Sequence, residues 1–311
     1  MATHHIDDTQ PHAFWDHSLP PRLHIQSGDT VVFETLEASA GQVRPDSSSE
    51  ALRSLDFSYI HPLTGPVAIE GAEPGDALEI AIISIQHKGW GWNGVIPGFG
   101  LLPDDFPEPY LHHYQVGDSS CEFRPDILIP YEPFCGVMGV APRDPGRFTT
   151  IPPRENGGNI DIRHLTPDSK VFFPVLVPGA LFSCGDCHSA QGDGEVNGTG
   201  IETLMSVTLT FTLRKGMHLP ELRFITPPGK KLTRADEGGY FVTTAHGPDL
   251  FHNAQQAIRY MIDHLSSEYH MSREQAFCLC GAAVDLKISE IVDAPNWIVS
   301  AYLPLSIFHP K

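Results

Sequence analysis

Between Ser183 and Glu202 the chain reads SCGDCHSAQGDGEVNGTGIE, which sets His188, Gln191, two thiols and the carboxylates Asp186, Asp193, Glu195 and Glu202 among closely spaced glycines. Carboxylates and an imidazole on a backbone that can turn tightly are the ingredients of a divalent-cation site or an acid/base site. Asp186 and His188 are two residues apart, so on an extended backbone both project to one side and can hold one ion from a single segment. Asp161 is a third candidate ligand, because Gly157-Gly158-Asn159 before it lets its backbone approach closely. A mixed carboxylate and imidazole set suits zinc, manganese or calcium. Glu195 has the reach of a general base, able to take a proton from an attacking water and pass it to a leaving amine. Asp193 is the alternative base or a further ligand, and Glu202 is placed to orient His188 from behind. Gln191 either donates a hydrogen bond to a substrate carbonyl or ties the loop together. The competing reading makes these carboxylates solvated turn residues and His188 a hydrogen-bonded core histidine.

The thiols invite other chemistry, which their spacing disfavours. Cys184-x-x-Cys187 would need a second close pair for a four-thiolate zinc site, and Cys278-x-Cys280 on a helix points its two side chains about 200° apart. A redox motif should open a helix after a strand, whereas here Gly and Asp continue the loop. Six cysteines in a chain of this length read as free thiols rather than a disulfide framework.

The flanking elements must position the run. Val171–Val177 reads as a buried strand turned by Pro178-Gly179. After the run, Thr203–Leu213 alternates Met205, Val207, Leu209, Phe211 and Leu213 against serine and threonines, the period of a half-buried strand. The run itself then reads as a glycine-rich ligand loop between two strands. Gly28-Asp29, Gly75-Asp76 and Gly117-Asp118 each precede a strand and read as turns. Gly89–Pro109 reads as a long, irregular, aromatic-rich loop. In the last third, Asp249 caps a helix with Leu250, Ala254, Ala257, Ile258, Met261, Ile262 and Leu265 on one face. Ser272-Arg273-Glu274-Gln275 is a capping box for a second helix to about Val284. A strand over Asn296–Tyr302 follows. The division expected is a β-rich body over 1–215, carrying the 183–202 loop, and an α+β portion over 216–311.

With 311 residues, 28 glycines and 28 prolines, the composition favours a turn-rich, mainly β fold. The formal charge is −18, and no basic run interrupts it, which argues against nucleic acid or anionic membrane as partners. No apolar stretch approaches a membrane span and the N-terminus shows no secretory signal, so a cytoplasmic location is expected.

The 183–202 run resembles the GD-x-H-x-AQGDGE-x-x-GT-x-IE block of the acetamidase/formamidase family. His61-Pro62-Leu63-Thr64-Gly65-Pro66 with Glu70-Gly71-Ala72-Glu73-Pro74-Gly75-Asp76 resembles a second family element. Pro97–Leu102, Phe134–Pro142 and Asn156–Asp161 resemble three more, so the likeness is ordered along most of the chain. It departs from the family pattern at Cys184, Cys187 and Ser189. The resemblance implies a β-sandwich or barrel-like body and a homo-oligomer. It also implies a divalent metal, zinc or calcium, which would be held here by Asp161, Asp186 and His188. The activity it implies is hydrolysis of a small linear amide to carboxylate and ammonia, with Glu195 as base and Trp90, Trp92 and Phe99 closing over the substrate. His61, inside one family block, becomes a candidate ligand or substrate contact. Two other readings stand beside this one: a metal- or amide-binding β protein without turnover, with the two cysteines altering the site, and a C–N hydrolase or lyase on a larger substrate.

Overall fold

The computed structural model describes residues 1–227 and 237–309. The body is one hydrogen-bonded network of 14 strands and not a closed barrel, with a separate three-stranded sheet near the C-terminus. Its spine is an antiparallel pair, Ala77–Val95 and Glu202–Arg214, in register from Glu202↔Trp92 to Arg214↔Ala77 with two bulges. The alternation in Thr203–Leu213 is realised almost residue for residue. Met205, Val207, Leu209 and Phe211 are buried, and the serine and threonines between them are half-exposed. The Gly28-Asp29 and Gly75-Asp76 turns form as expected: both glycines have positive φ, and Asp29 and Asp76 accept from the backbone N–H groups of Gln26 and Glu73.

Three segments differ from expectation. The strand that starts at Ala77 runs on through Gly89, into the segment read as an irregular loop, as far as Val95, pairing with Tyr110–Val116 on its far side. Trp90 and Trp92 therefore sit in a rigid strand, and the irregular segment shrinks to the residues after Val95. The glycines at 89, 91 and 94 hid this strand. At Gly91 a Cβ would lie 2.7 Å from Thr203 Oγ1, so glycine is there to let two strands approach closely. The first part of the presumed ligand loop is also a strand, Phe182–His188, buried at every position between Phe134–Gly139 and Leu63–Ile69. The preceding strand is Lys170–Pro174, shorter than read.

In the C-terminal portion, Asp249 caps Leu250–Tyr269 by accepting from Phe251 and His252, and the Ser272/Gln275 capping box opens Arg273–Ala283. Both helices pack against the body. Phe277 stacks on Phe106 with ring centroids 4.6 Å apart, and Arg259 forms paired bonds to Asp105. A single apolar core runs from Ile6 through Phe211 to Ile307, so the division at residue 215 is not a break in the core. No described helix is long and apolar enough to cross a membrane.

Candidate active site

The register of three strands assembles the site. His188 pairs directly with Glu202, and cross-strand partners in an antiparallel pair present their side chains on one face. The His188 Nε2 to Glu202 Oε2 distance is 3.1 Å, and His188 Nε2 to Asp186 Oδ1 is 3.6 Å. On the other side, Phe134–Gly139 runs between Phe182–His188 and Gly157–Asn159. Gly136 lies where Asp161 and Asp186 converge. A Cβ there would be 2.5 Å from Asp161 Oδ1 and 2.9 Å from Asp186 Oδ2, so only glycine lets the two carboxylates meet. Behind the imidazole, a Cβ on Gly200 would lie 2.4 Å from His188 Nδ1.

Asp161, Asp186 and His188 thus offer ligand atoms within 4.8 Å of one another, as do His188, Glu195 and Glu202. Asp186, His188 and Glu202 are each at most 2% exposed. Four buried atoms in this cluster have no hydrogen-bond partner: Asp161 Oδ1, Asp186 Oδ1, His188 Nε2 and Glu202 Oε2. Buried polar atoms are nearly always satisfied, so acceptors turned towards one another with nothing between them fit a cation. The imidazole is set for it. His188 Nδ1 lies 2.8 Å from Gln191 Oε1, and the Gln191 amide donates to the Asp161 carbonyl at 3.0 Å. Gln191 Oε1 therefore accepts from Nδ1–H, so Nε2 faces the carboxylates, carrying a proton shared with Glu202 and Asp186 when the imidazole is charged and offering its lone pair to a cation once that proton is lost.

Four site residues, His61, Asp161, Asp186 and Glu195, have φ between 43° and 51°. Non-glycine residues avoid that left-handed region at a cost of about 1–2 kcal/mol each, and such strain gathers where side chains must be aimed. Charge is as concentrated as geometry. Burial pushes the Glu195 and Glu202 carboxyls up to about 8, with neighbouring carboxylates adding to the effect. Burial, then Glu195, pushes Asp161 well above the usual range. Burial would also raise Asp186, but the imidazoles of His61 and His188 outweigh it and hold that carboxyl low. Burial depresses His188, yet Glu202 and Asp186 win and hold it well above an ordinary histidine. The cluster has more acid than base, and a divalent cation would supply the missing positive charge.

Above the cluster is a cavity of about 60 Å³, on a scale where one ordered water needs about 10–15 Å³. Asp186, Glu195, Glu202, His61 and Asn159 form its polar end. His61 Nδ1 and Asn159 Oδ1 are buried without partners. Asn159 was not anticipated from the sequence; its only signal was its place inside the Asn156–Asp161 block. Trp92 and Phe99 line the cavity, Trp92 from the long strand, with its indole donating to Glu37 at 2.8 Å. Trp90 turns away and donates to His113.

Other expected roles change with placement. Asp193 lies outside the cavity: its backbone N–H donates to Asp285 and its carboxylate is 3.9 Å from His164. Gln191 is buried beside His188 and does not line the cavity; it ties the loop by its bonds to His188 Nδ1 and the Asp161 carbonyl. Glu202 faces the same atom of His188 that the ligands need, and the orienting partner is Gln191 instead. Cys184 and Cys187 are fully buried in the main core and do not line the cavity; Cys187 Sγ is 3.5 Å from Cys135 Sγ. All six cysteines are free.

The acetamidase/formamidase family profile matches residues 2–145 and 146–310. The chain belongs to the acetamidase/formamidase family. Membership makes it an amidohydrolase, acting on carbon–nitrogen bonds other than peptide bonds. The chain is 29% identical to a formamidase of Methylophilus methylotrophus, over 97% of this chain and 90% of that protein. Among solved structures, an acetamidase from Bacillus halodurans is 31% identical, with a TM-score of 0.69 over 97% of each chain. A gamma lactamase from Delftia acidovorans is 27% identical, with a TM-score of 0.91 over 100% of this chain and 95% of that one.

Proposed function

We propose that the cavity hydrolyses a small neutral amide with the help of one divalent cation held by Asp161, Asp186 and His188. The observation that carries this reading is the group of partnerless buried ligand atoms, of which those of Asp186 and Glu202 belong to residues that line a cavity sized for a few heavy atoms. When bound, such a cation supplies Lewis acidity, polarising an amide carbonyl and lowering the pKa of water beside it.

The remaining work falls to side chains. Glu195 borders the cavity and, once ionised, accepts the proton of the attacking water and returns it to the departing nitrogen. Its elevated proton affinity suits both halves of that shuttle, because a base near neutrality can give back what it takes. Gln191 fixes the His188 tautomer. Asn159 Oδ1 and His61 Nδ1, both unpaired at the polar end, are the groups available to an amide N–H and carbonyl. The test is ammonia release from formamide and acetamide by chelated protein and by the same protein after zinc or calcium add-back. Release restored by one metal is expected. Equal rates with and without metal would overturn the role given to the cation.

A second reading, a cyclic amide as substrate, is favoured by the TM-score of 0.91 to the gamma lactamase. Ring opening of 2-pyrrolidinone gives an amino acid and no ammonia, so chromatography of the product separates the two.

A further inference from the structure

Glu37 belongs to none of the motifs read from the sequence, yet it is 2% exposed and its carboxylate takes four hydrogen bonds. Oε1 accepts from the Ser39 hydroxyl at 2.8 Å and the Gly41 N–H at 2.6 Å. Oε2 accepts from the Ser39 N–H and the Trp92 indole, both at 2.8 Å. None of these donors is charged. Burying a carboxylate without a cation is costly, and the four bonds offset that cost only while the donors stay in place. Each oxygen takes two donors and returns none, so the amide of a glutamine here would leave at least one N–H donor without an acceptor.

Glu37 does not itself line the cavity, but Ala38, Ser39 and Trp92 do. Ala38 and Trp92 belong to one small apolar cluster, with Ile96 and Leu52, apart from the main core. The bonds from Ser39 and Gly41 close the turn over 37–41, and the Ala38 carbonyl inside it accepts the His61 N–H at 2.8 Å. His61 is held there with φ at 51°, its Nε2 3.9 Å from Asp186 Oδ2. Trp92 is the cross-strand partner of Glu202, which pairs in turn with His188. One carboxylate thus links two pieces of the cavity wall that are far apart in the chain.

We infer that Glu37 is a positioning residue of this site. It fixes the Trp92 ring and, through the 37–41 turn, His61 relative to one another, and so sets how tightly an amide is held without touching it. The inference rests on the amide-hydrolase reading. Trp92 and His61 face a bound amide alike in the ground state and in the transition state, whereas Glu195 and the three candidate ligands are carried by other segments. Loss of the carboxylate should therefore appear in KM and leave kcat and metal content near those of the parent. A residue that only stabilised the fold would lower Tm and the active fraction, hence the apparent kcat, at unchanged KM.

The experiment is steady-state kinetics of zinc- or calcium-loaded enzyme on formamide and acetamide for Glu37→Gln, Trp92→Phe and the double variant. Phenylalanine keeps most of the wall and removes the indole donor. Glu37→Gln should raise KM about 10–100-fold, with kcat within about three-fold of the parent. The two substitutions should not be additive: in the Trp92→Phe background, Glu37→Gln should raise KM at least about three-fold less than it does alone. If Glu37→Gln does not fold, the cycle runs between Ser39→Ala and Trp92→Phe, which remove donors from the two oxygens of the same carboxylate, and the same non-additivity is expected. A KM within about three-fold of the parent, a loss confined to kcat, or strict additivity overturns the inference while the amide-hydrolase reading survives. If the parent turns over no amide, that reading falls, and NMR of the Trp92 indole and His61 ring protons decides the role of Glu37 alone. Shifts at both in folded Glu37→Gln or Ser39→Ala keep the inference; a His61 signal that does not move overturns it.

Discussion

Glu195 and Gln191 divide the chemistry between a group that touches the cavity and one that acts through a ligand. Glu195→Gln keeps the shape and removes the base, so kcat should drop by about 10²–10⁴-fold with metal content unchanged. A residual rate within ten-fold of the parent would move the role to Glu202, which also lines the cavity and is not one of the three ligands. Gln191→Ala leaves Nδ1 of a fully buried imidazole without its acceptor. Metal affinity should weaken about 10–100-fold, measured by competition with a chromogenic chelator. These two residues were both legible as candidates in the sequence. Their roles were not, because the spacing of a loop does not say which side chain faces inward.

At the scale of elements, the site is a product of strand register. Phe182–His188 and Glu202–Arg214 bring Asp186, His188 and Glu202 together, and Phe134–Gly139 supplies Gly136, the gap that lets Asp161 meet Asp186. Gly136→Ala should cost about 1–3 kcal/mol by overpacking, read from denaturant midpoints, and should abolish tight metal binding because Asp161 and Asp186 can no longer converge. Intact metal affinity in that variant would show that Asp161 is not a ligand. The helix caps at Asp249 and Ser272 could be read directly, since the signal is local hydrogen bonding between residues two or three apart. The strand through Trp90 and Trp92 could not, because glycine carries the same local signal whether it makes a turn or permits close strand approach.

Over the whole molecule, stability and metal binding are coupled through the same acids. Glu195 and Glu202 have folded-state pKa values near 8, raised above those of the unfolded chain. Their contribution is complete below the unfolded value, about 4.3, and is lost as pH rises towards 8. The opposite contribution of Asp186, whose carboxyl is held low, already lies below that window. Burial lowers His12, His112 and His264, whose contribution instead grows as pH rises to the ordinary histidine value, so the Tm of chelated protein should fall from about pH 6.5 to pH 8, and zinc or calcium should restore most of it at the upper end, where the cation replaces the protons. A flat or rising profile in the chelated protein would contradict the clustering of buried acids. Arg163 ties the C-terminal portion to the site: it bonds Asp285 and Glu132, and Asp285 also accepts from the Asp193 backbone. Arg163→Ala takes the guanidinium away from the buried Asp285 carboxylate and should cost about 3–5 kcal/mol. Because one core joins body and C-terminal portion, calorimetry should show a single unfolding transition, and a separate early transition for 216–311 would refute that unity.

The sequence alone determined what depends on neighbours along the chain: the alternating strand after Glu202, the helix caps, the Gly-Asp turns, and a family likeness spread over ordered blocks. It also named Asp161, Asp186, His188, Glu195 and Glu202 as the residues of interest. Only the tertiary structure decided which of the acids share a volume, that Asp193 is outside it, that Gln191 rather than Glu202 holds the imidazole, and that Cys184 and Cys187 are core. The reason is physical. Local pattern fixes dihedral preference and the side of a strand, whereas the meeting of Asp161 with Asp186 across Gly136 depends on which strands pair and in which register, information carried by contacts far apart in sequence.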